Sequence, residues 1–351
     1  MMNSQGIKGP PYKFIYGNNK QVTKMRMEAL SKWKNYLSWS SVRAELVISD
    51  PELVKKVLRN SENFFPKRKL SDIGEKLLGN GLAFIEGEKW AKHRKLADKA
   101  FHGERLKNMT PTIIASVETM LEKWKAQESK EIEIIKKTEN KVVSGEADSF
   151  GDDYLGLLVN AYHDLNDKNK LSLEDSVGEC KTIYFAGQST LGSLLSWIVL
   201  HLAIHGDWQE KARREVIDIF DVYDHQWNYL RLYGPINGLP REVAGEVQLG
   251  KLVLPANIDI LVLNSGLHRD PYLWGDDVHL FKPERFSERI AKATNYNATG
   301  SGPRSCVGMT FAMIETKVVL SMILQRYTVT LSPMSTLQYL LFPLYHNMEF
   351  K

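Results

Sequence analysis

The residue with the clearest chemical potential is Cys306, near the end of a glycine-rich loop, Gly300-Ser-Gly302-Pro-Arg304-Ser-Cys306-Val-Gly308. An apolar stripe with helical spacing follows, so the cysteine is expected at a helix N-terminus, where the helix dipole favours a thiolate. Gly302 and Gly308 let the backbone pass close to a flat ligand, and N–H groups beside the sulfur would tune a thiolate-bound iron. Arg304 adds a charge for an acidic group on that ligand. The alternative is a buried free cysteine, which the spacing of the glycines and the arginine disfavours.

Two helical segments carry further candidate residues. In Trp90-Ala-Lys-His-Arg94 the spacing places Trp90 and Arg94 on one helix face. In Ala186-Gly187-Gln188-Ser189-Thr190 a glycine interrupts a long helix, which costs stability and opens a groove for a flat ligand and a diatomic molecule. Taken alone, the first segment would be better explained as an amphipathic surface helix and the second as close helix packing through small residues.

The surrounding sequence predicts the elements that must hold these residues. Helical patterns cover residues 88–125, 172–206 and 307–326, and the second of them begins with a capping-box pattern at Ser172. Residues 238–264 alternate with period two around a turn and predict a small sheet with a hairpin. The predicted fold class is therefore mostly α with a minor β-sheet (α+β).

Shorter segments give more local expectations. Residues 45–49 and 327–331 are predicted as strands, and Ser49-Asp-Pro-Glu52 as a capped helix start. The apolar run 191–204 is shorter than the roughly 20 residues of a membrane span, so it is predicted as a buried helix. Cys180 is expected to be a small core residue.

The composition excludes several classes of protein. A chain of 351 residues, 43% of them hydrophobic, is long enough for a large core. A net charge of +4 against 46 basic residues argues against a nucleic-acid binder held by phosphate contacts. Two cysteines exclude a disulfide scaffold and a multi-cysteine metal site. The N-terminal residues 1–11 have no apolar core, so neither a signal peptide nor a membrane anchor is predicted there.

The cysteine loop resembles the signature of the cytochromes P450, the haem-thiolate monooxygenases. Four residues match that signature: Gly302, Arg304, Cys306 and Gly308. Thr299 stands where the family has the phenylalanine that packs against the loop. Further stretches match the family in the right order, at residues 90–94, 186–190 and 281–286. The sequence of these stretches most resembles plant members of the clan that includes secologanin synthase and brassinosteroid-inactivating enzymes.

The resemblance implies one cytochrome P450-like domain over residues 1–351, with an incomplete P450 fold and haem b (iron protoporphyrin IX) bound through Cys306 as the metal ligand. Thr190 would be the oxygen-side hydroxyl. The haem propionates would contact four side chains: Trp90, Arg94, Arg304 and Arg241. The implied reaction inserts one oxygen atom from O₂ into a small apolar metabolite of plant secondary metabolism. Electrons would come from NADPH through NADPH–cytochrome P450 reductase.

Three departures from the family are visible. Ser189 replaces an acid that supplies protons, and a hydroxyl relays a proton but is a poor source of one. Asn228 replaces a glutamate, so Arg231 and Arg285 would lack their counter-ion, at a cost of about 3–5 kcal/mol. Residues 130–142 are too few for the helices that cover the substrate pocket in the family. The copy is therefore expected to be shortened and degenerate, without a membrane anchor and several mid-chain helices.

Two functions remain open on this sequence. One is the monooxygenase, and the other is a non-catalytic remnant of such an enzyme that binds haem weakly or not at all. By resemblance the protein is expected on the cytosolic face of the endoplasmic reticulum membrane, and the absence of an anchor gives a cytosolic location as the alternative. No nucleic acid is expected among its partners.

Overall fold

The computed structural model describes residues 3–7, 35–40, 43–60, 63–125, 154–164, 170–218, 230–282 and 302–331. It confirms the mostly α fold with a minor β-sheet. The α-helices are α1 (Pro51–Arg59), α2 (Asp72–Leu78), α3 (Gly87–Ala100), α4 (Gly103–Lys125), α5 (Tyr154–Tyr162), α6 (Leu173–Ile204), α7 (Gly206–Asp218), α8 (Asn264–His268), α9 (Pro271–Trp274) and α10 (Met309–Arg326). The strands are β1 (Asn35–Ser40), β2 (Arg43–Ile48), β3 (Gly238–Glu242), β4 (Val247–Leu249), β5 (Leu252–Leu254) and β6 (Asp259–Leu263).

A four-stranded sheet has the order β1-β2-β6-β3, and β4 and β5 form a separate hairpin. β2 runs parallel to β6, while β1 and β3 are antiparallel to their neighbours. Alternate residues such as Leu46 and Ile260 are fully buried and pack with α1. This packing confirms the sheet and the hairpin predicted for residues 238–264.

The helical core forms where α4, α6 and α10 pack against each other. Leu194, Ile198 and Leu202 of α6 meet Leu121 of α4 and Ile323 of α10 in one buried cluster. The predicted buried helix at residues 191–204 is therefore confirmed. α6 begins as predicted, because the Ser172 side chain accepts a hydrogen bond from the Asp175 amide at 3.0 Å.

Three local predictions were wrong in detail. α1 is capped by Asp50, not Ser49: its carboxylate accepts from the Glu52 and Leu53 amides. Residues 327–331 form no strand, because the Gln209 side chain takes both backbone hydrogen bonds of Val329. Cys180 is exposed, not a core residue, because it faces away from the helices that bury its neighbour on α6.

Two helical stretches, Leu173–Ile204 and Gly302–Arg326, are long and apolar enough to cross a membrane by length and composition. Core helices of soluble proteins meet the same criterion. Both stretches contribute residues to the helical core described above.

Candidate functional site

The cysteine loop is a short 3₁₀ turn, Gly302–Arg304, followed by Cys306 and then by α10. The predicted helix start is thus confirmed within two residues. Cys306 is accessible at the surface of the loop. Desolvation raises the pKa of its thiol, and a hydrogen bond from the Gly308 amide and the charge of Arg94 offset only part of that rise. The sulfur therefore has a donor and a cation beside it, the kinds of group that stabilise a thiolate.

The backbone around Gly302 requires a glycine, whereas the surroundings of Gly308 do not. Gly302 has φ +80°, and a Cβ on it would lie 3.2 Å from the Leu58 carbonyl oxygen, so the turn against α1 already requires a glycine there. At Gly308 a Cβ would meet nothing within 4 Å. Only Gly308 thus leaves space beside the sulfur, and a ligand contact at Gly302 stays a prediction.

Arg304 joins the cysteine loop to the segment before α3. Its guanidinium donates to the Ile85 carbonyl at 2.8 Å and pairs with the Glu86 carboxylate. It also lies over the Trp90 ring, 4.4 Å from the ring centroid, in a cation–π contact. The structure therefore brings Arg304 and Trp90 together.

Arg94 makes a second link to the same loop. Its Nε donates to Asp98 at 2.9 Å, and Nη1 donates to the Ser305 carbonyl. Because Ser305 precedes the cysteine, this bond sets the position of α3 relative to the sulfur. Further along, the ring of Phe101 meets that of Phe311 on α10 edge-on at 6.1 Å.

Two more cations approach Arg304, and one of them was not predicted. Arg241 on β3 is buried, and burial together with Arg304 lowers its pKa. Burial, Arg304 and Arg241 lower the pKa of Lys67 to about 7. Nothing local in the sequence marks Lys67, because its neighbours Pro66 and Arg68 match no motif. Its role follows only from the tertiary arrangement.

The four cations outnumber the carboxylates that pair with them. Glu86 pairs with Arg304 and Asp98 with Arg94. Within the described part of the chain, neither Lys67 nor Arg241 makes an ion pair. Partly buried like charges repel strongly unless an anion joins them. The cluster Lys67, Arg94, Arg241 and Arg304 therefore fits a ligand that carries two carboxylates, such as a porphyrin with two propionates.

The α6 segment lies beside the same region. Ile183 of α6, Trp90 of α3 and Val307 of the cysteine loop pack against one apolar cluster. Gly187 follows one turn after Ile183, and a Cβ there would meet nothing within 4 Å. The helix therefore has open space at Gly187, and a groove for a flat ligand there stays a prediction.

The two candidate oxygen-side residues follow on α6. The Thr190 hydroxyl donates to the Ala186 carbonyl at 2.6 Å, and Ser189 is exposed. Thr190 lies seven residues beyond Ile183, about 10 Å along the helix axis. The described contacts do not connect Thr190 or Ser189 to the cation cluster, so their roles stay predictions.

Arg231, predicted to lack its counter-ion, has backbone carbonyls as hydrogen-bond acceptors instead. Its guanidinium donates to the carbonyls of His268 and Val278 at 2.9 Å and lies over Trp274. These bonds occupy the arginine inside the fold. Asn228, Arg285 and Thr299 lie outside the described residues, and the predictions about them stay predictions.

His201 and His205 are spaced i,i+4 near the end of α6, a spacing that could bind a metal, although histidine is also favoured near a helix C-terminus. The rings stack at 5.9 Å, and burial lowers the pKa of His201 to about 4. No group of three or more metal-ligating side chains occurs within the described ranges.

An open surface cavity of about 610 Å³ runs along α3 and the start of α4. Trp90 and Arg94 line it, so it adjoins the cation cluster. Its other charged lining residues are Lys95, Asp98, Lys99, Glu104 and Arg105. Basic groups are in excess on this surface, which favours an acidic partner.

Comparison with known proteins identifies similar chains. The family model described as cytochrome P450 matches residues 7–144, 133–224 and 227–342. The chain is 37% identical to cytochrome P450 CYP749A22 of Panax ginseng, over 95% of this chain and 86% of that protein. It is 31% identical to 11-oxo-beta-amyrin 30-oxidase of Glycyrrhiza uralensis (95% and 87% covered) and 30% identical to 7-deoxyloganic acid hydroxylase of Catharanthus roseus (95% and 88%). The first alignment spans 453 positions, so that relative has segments without a counterpart in this shorter chain.

Proposed function

This chain belongs to the cytochrome P450 family of haem-dependent monooxygenases, and we propose that it inserts one oxygen atom from O₂ into a small apolar plant metabolite. The observation that carries the proposal is the excess of cations around Arg304 next to an accessible Cys306. Two relatives are named as an 11-oxo-beta-amyrin 30-oxidase and a 7-deoxyloganic acid hydroxylase. Both names describe oxidation of an organic substrate, which supports the reaction type proposed here.

Haem b would be held from two sides. The Cys306 sulfur would bind the iron, while the Gly308 amide and the nearby Arg94 charge stabilise its thiolate. The propionates would meet the cation cluster and the Trp90 side of α3. When bound, the haem supplies the activation of O₂ that amino-acid side chains cannot perform.

The chain's own residues would leave space for the ligand, orient water beside it and relay protons. The groove at Gly187 leaves space against α6. Thr190, whose hydroxyl is now bonded to the Ala186 carbonyl, would turn its O–H toward the ligand side and orient water there. Ser189 is exposed and can relay a proton from solvent but not supply one at neutral pH.

Electrons would come from NADPH through NADPH–cytochrome P450 reductase. The basic surface of the cavity along α3, with Lys95, Lys99 and Arg105, would meet acidic groups of the reductase. A membrane-bound reductase would place the protein at the cytosolic face of the endoplasmic reticulum.

The test is the carbon monoxide difference spectrum of the reduced protein after expression with a haem precursor. A thiolate-type Soret band is expected in the wild type and in Cys180→Ser. Cys306→Ser should lose that band. The two cysteines are both exposed, so they form a matched pair. An unchanged band in Cys306→Ser would overturn the proposal.

A non-catalytic remnant that binds haem weakly or not at all is the second candidate, favoured by Ser189 at the acid's place. Substrate-independent NADPH consumption with added reductase separates the two candidates once haem is bound. We expect Ser189→Glu to raise the consumption rate at least tenfold, because an acid would then supply protons. If Ser189→Glu with a normal haem spectrum stays as slow as the wild type, the missing acid is not the defect.

A further inference from the structure

A polar triad lies fully inside the protein where α3, α5 and α6 meet. The Nδ1 atom of His93 on α3 is 2.5 Å from Oε1 of Glu179 on α6. The Tyr154 hydroxyl on α5 donates to the other carboxylate oxygen at 3.1 Å. The side chains of His93 and Glu179 have no exposed surface. Three helices are thus joined at one carboxylate.

These contacts constrain geometry more than an apolar contact would. Burial and the charge of Glu179 raise the pKa of Tyr154, so its hydroxyl keeps its proton and remains a donor. Hydrogen bonds to a carboxylate are directional, and they are strong where water is excluded. Apolar side chains can slide past one another, whereas a short bond between His93 and Glu179 fixes both the distance and the rotation of the helices.

An ion pair between α3 and α6 lies one helical turn from the triad. Asp175, one turn before Glu179 on α6, pairs with Lys89 of α3 at 2.5 Å, and the charge of His93 acts on Asp175. The ion pair therefore joins the same two helices nearer the surface.

The position of the triad connects it to the candidate site. His93 lies on α3 between Trp90 and Arg94, which contact Arg304 and the Ser305 carbonyl. Trp90 and Arg94 belong to the same helix as His93, so any rotation of α3 at His93 also moves Trp90 and Arg94. Tyr154 also belongs to the apolar cluster that Trp90, Ile183 and Val307 contact.

We infer that His93, Glu179 and Tyr154 are positioning residues, which hold α3 against α6 so that Trp90 and Arg94 keep their places beside the cysteine loop. None of the three needs to touch haem or substrate. The inference rests on the proposed function of the site.

The variant that tests this is His93→Leu, with His93→Gln as the conservative variant, because a glutamine amide can still donate to Glu179. The matched control is Thr182→Val. Thr182 is also buried on α6, but its hydroxyl bonds to the Leu78 carbonyl at 3.0 Å and to the Gly81 amide at 3.2 Å. It therefore connects α6 to the end of α2 and the residues that follow, not to α3.

Two readouts are compared at temperatures where all variants are folded. The first is hydrogen exchange of the α3 amides in protein without haem, and the second is the thiolate-type fraction of the carbon monoxide band. For an equal loss of Tm, His93→Leu should speed α3 exchange at least tenfold more than Thr182→Val. It should lower the thiolate-type fraction at least threefold, and His93→Gln should restore most of both. If His93→Leu does not fold, Glu179→Gln and Tyr154→Phe are compared with the same control.

Equal α3 exchange in His93→Leu and Thr182→Val would overturn the inference, as would an unchanged thiolate-type fraction. Failure of the proposed function looks different: the wild type itself would show no thiolate-type band. The exchange measurement needs no haem, so it decides in that case whether the triad fixes α3.

Discussion

Lys67 illustrates how a single side chain can report on a ligand through its charge. Burial, together with the charges of Arg304 and Arg241, lowers its pKa to about 7, far below the ordinary value of 10.5. A dianionic ligand would offset the repulsion from the two arginines and raise this pKa, so binding would take up part of a proton above about pH 7. The contribution of Lys67 to haem affinity should therefore be complete below pH 7 and decrease as the pH rises above it, against the increase that deprotonation of the Cys306 thiol gives.

The expected decrease is up to about tenfold per pH unit for one coupled proton. Lys67→Gln should flatten this dependence, whereas Lys69→Gln, which changes an exposed lysine two residues away, should not. Haem titrations at pH 6.5 and 9 measure it. Equal slopes for Lys67→Gln and the wild type would show that Lys67 does not face the ligand.

Glu315 on α10 makes the stability of the fold depend on pH. Burial raises the pKa of its carboxyl to about 7, and Oε2 has no hydrogen-bond partner among the described residues. The folded state thus holds a proton that the unfolded state has already lost above pH 4.5. Stability from this group is complete below about pH 4.5 and is lost as the pH rises to about 7.

Glu315→Gln should therefore raise the free energy of unfolding at pH 8 by up to about 3 kcal/mol and change it little at pH 4.5. Urea unfolding at the two pH values checks this. Glu122→Gln, at an exposed position of α4, is the control and should have no such pH dependence. An equal effect of Glu315→Gln at both pH values would contradict the assigned cause.

Among helices and strands, the sequence-based predictions were most accurate where hydrophobic periodicity coincides with a signal for the start of the element. α6 and α10 combine a clear start with a long apolar stripe, and both were predicted within a few residues. Strand 327–331 failed because alternation alone cannot show that the Gln209 side chain supplies the hydrogen bonds of a partner strand. Lys67 could not be predicted because it meets Arg241 and Arg304 only after folding.

The open space at the glycines of α6 leads to a prediction about helix stability and haem content. Gly187 and Gly192 both have open space where a Cβ would be. Replacing either by alanine should stabilise the haem-free protein by about 0.5–1 kcal/mol, because alanine is the better helix former. Only Gly187→Ala should also lower haem content, since its methyl group would occupy the groove.

Thermal unfolding without haem and absorbance of the reconstituted protein measure the two effects. A Gly187→Ala protein that binds as much haem as Gly192→Ala would place the ligand elsewhere along α6.

At the scale of the whole molecule, the described residues include an apolar face formed by exposed side chains of α2 and α6. Ile73 and Leu77 are 71% and 70% exposed, and Leu173, Val177 and Tyr184 follow one helical stripe that is exposed by 62%, 46% and 50%. α2 and α6 are held together below this face by the hydrogen bond from the Thr182 hydroxyl to the Leu78 carbonyl. Contiguous exposed apolar surface promotes association.

Leu77→Lys combined with Val177→Lys should therefore raise the concentration of soluble monomer several-fold. Leu280→Lys, at an exposed leucine outside this face, should not. Light scattering and gel filtration at matched total concentration provide the measurement. If all three proteins aggregate alike, association is driven by another surface.

The parallel pairing of β2 with β6 has a consequence for how the chain is made. Residues 45–48 pair with residues 259–262, so β2 leaves the ribosome long before its partner exists. At typical synthesis rates this delay is roughly 10–40 s. Throughout that time an apolar strand has an unpaired edge, the kind of segment that molecular chaperones bind. Expression yield should therefore depend on translation speed and chaperone supply as much as on the stability of the finished fold.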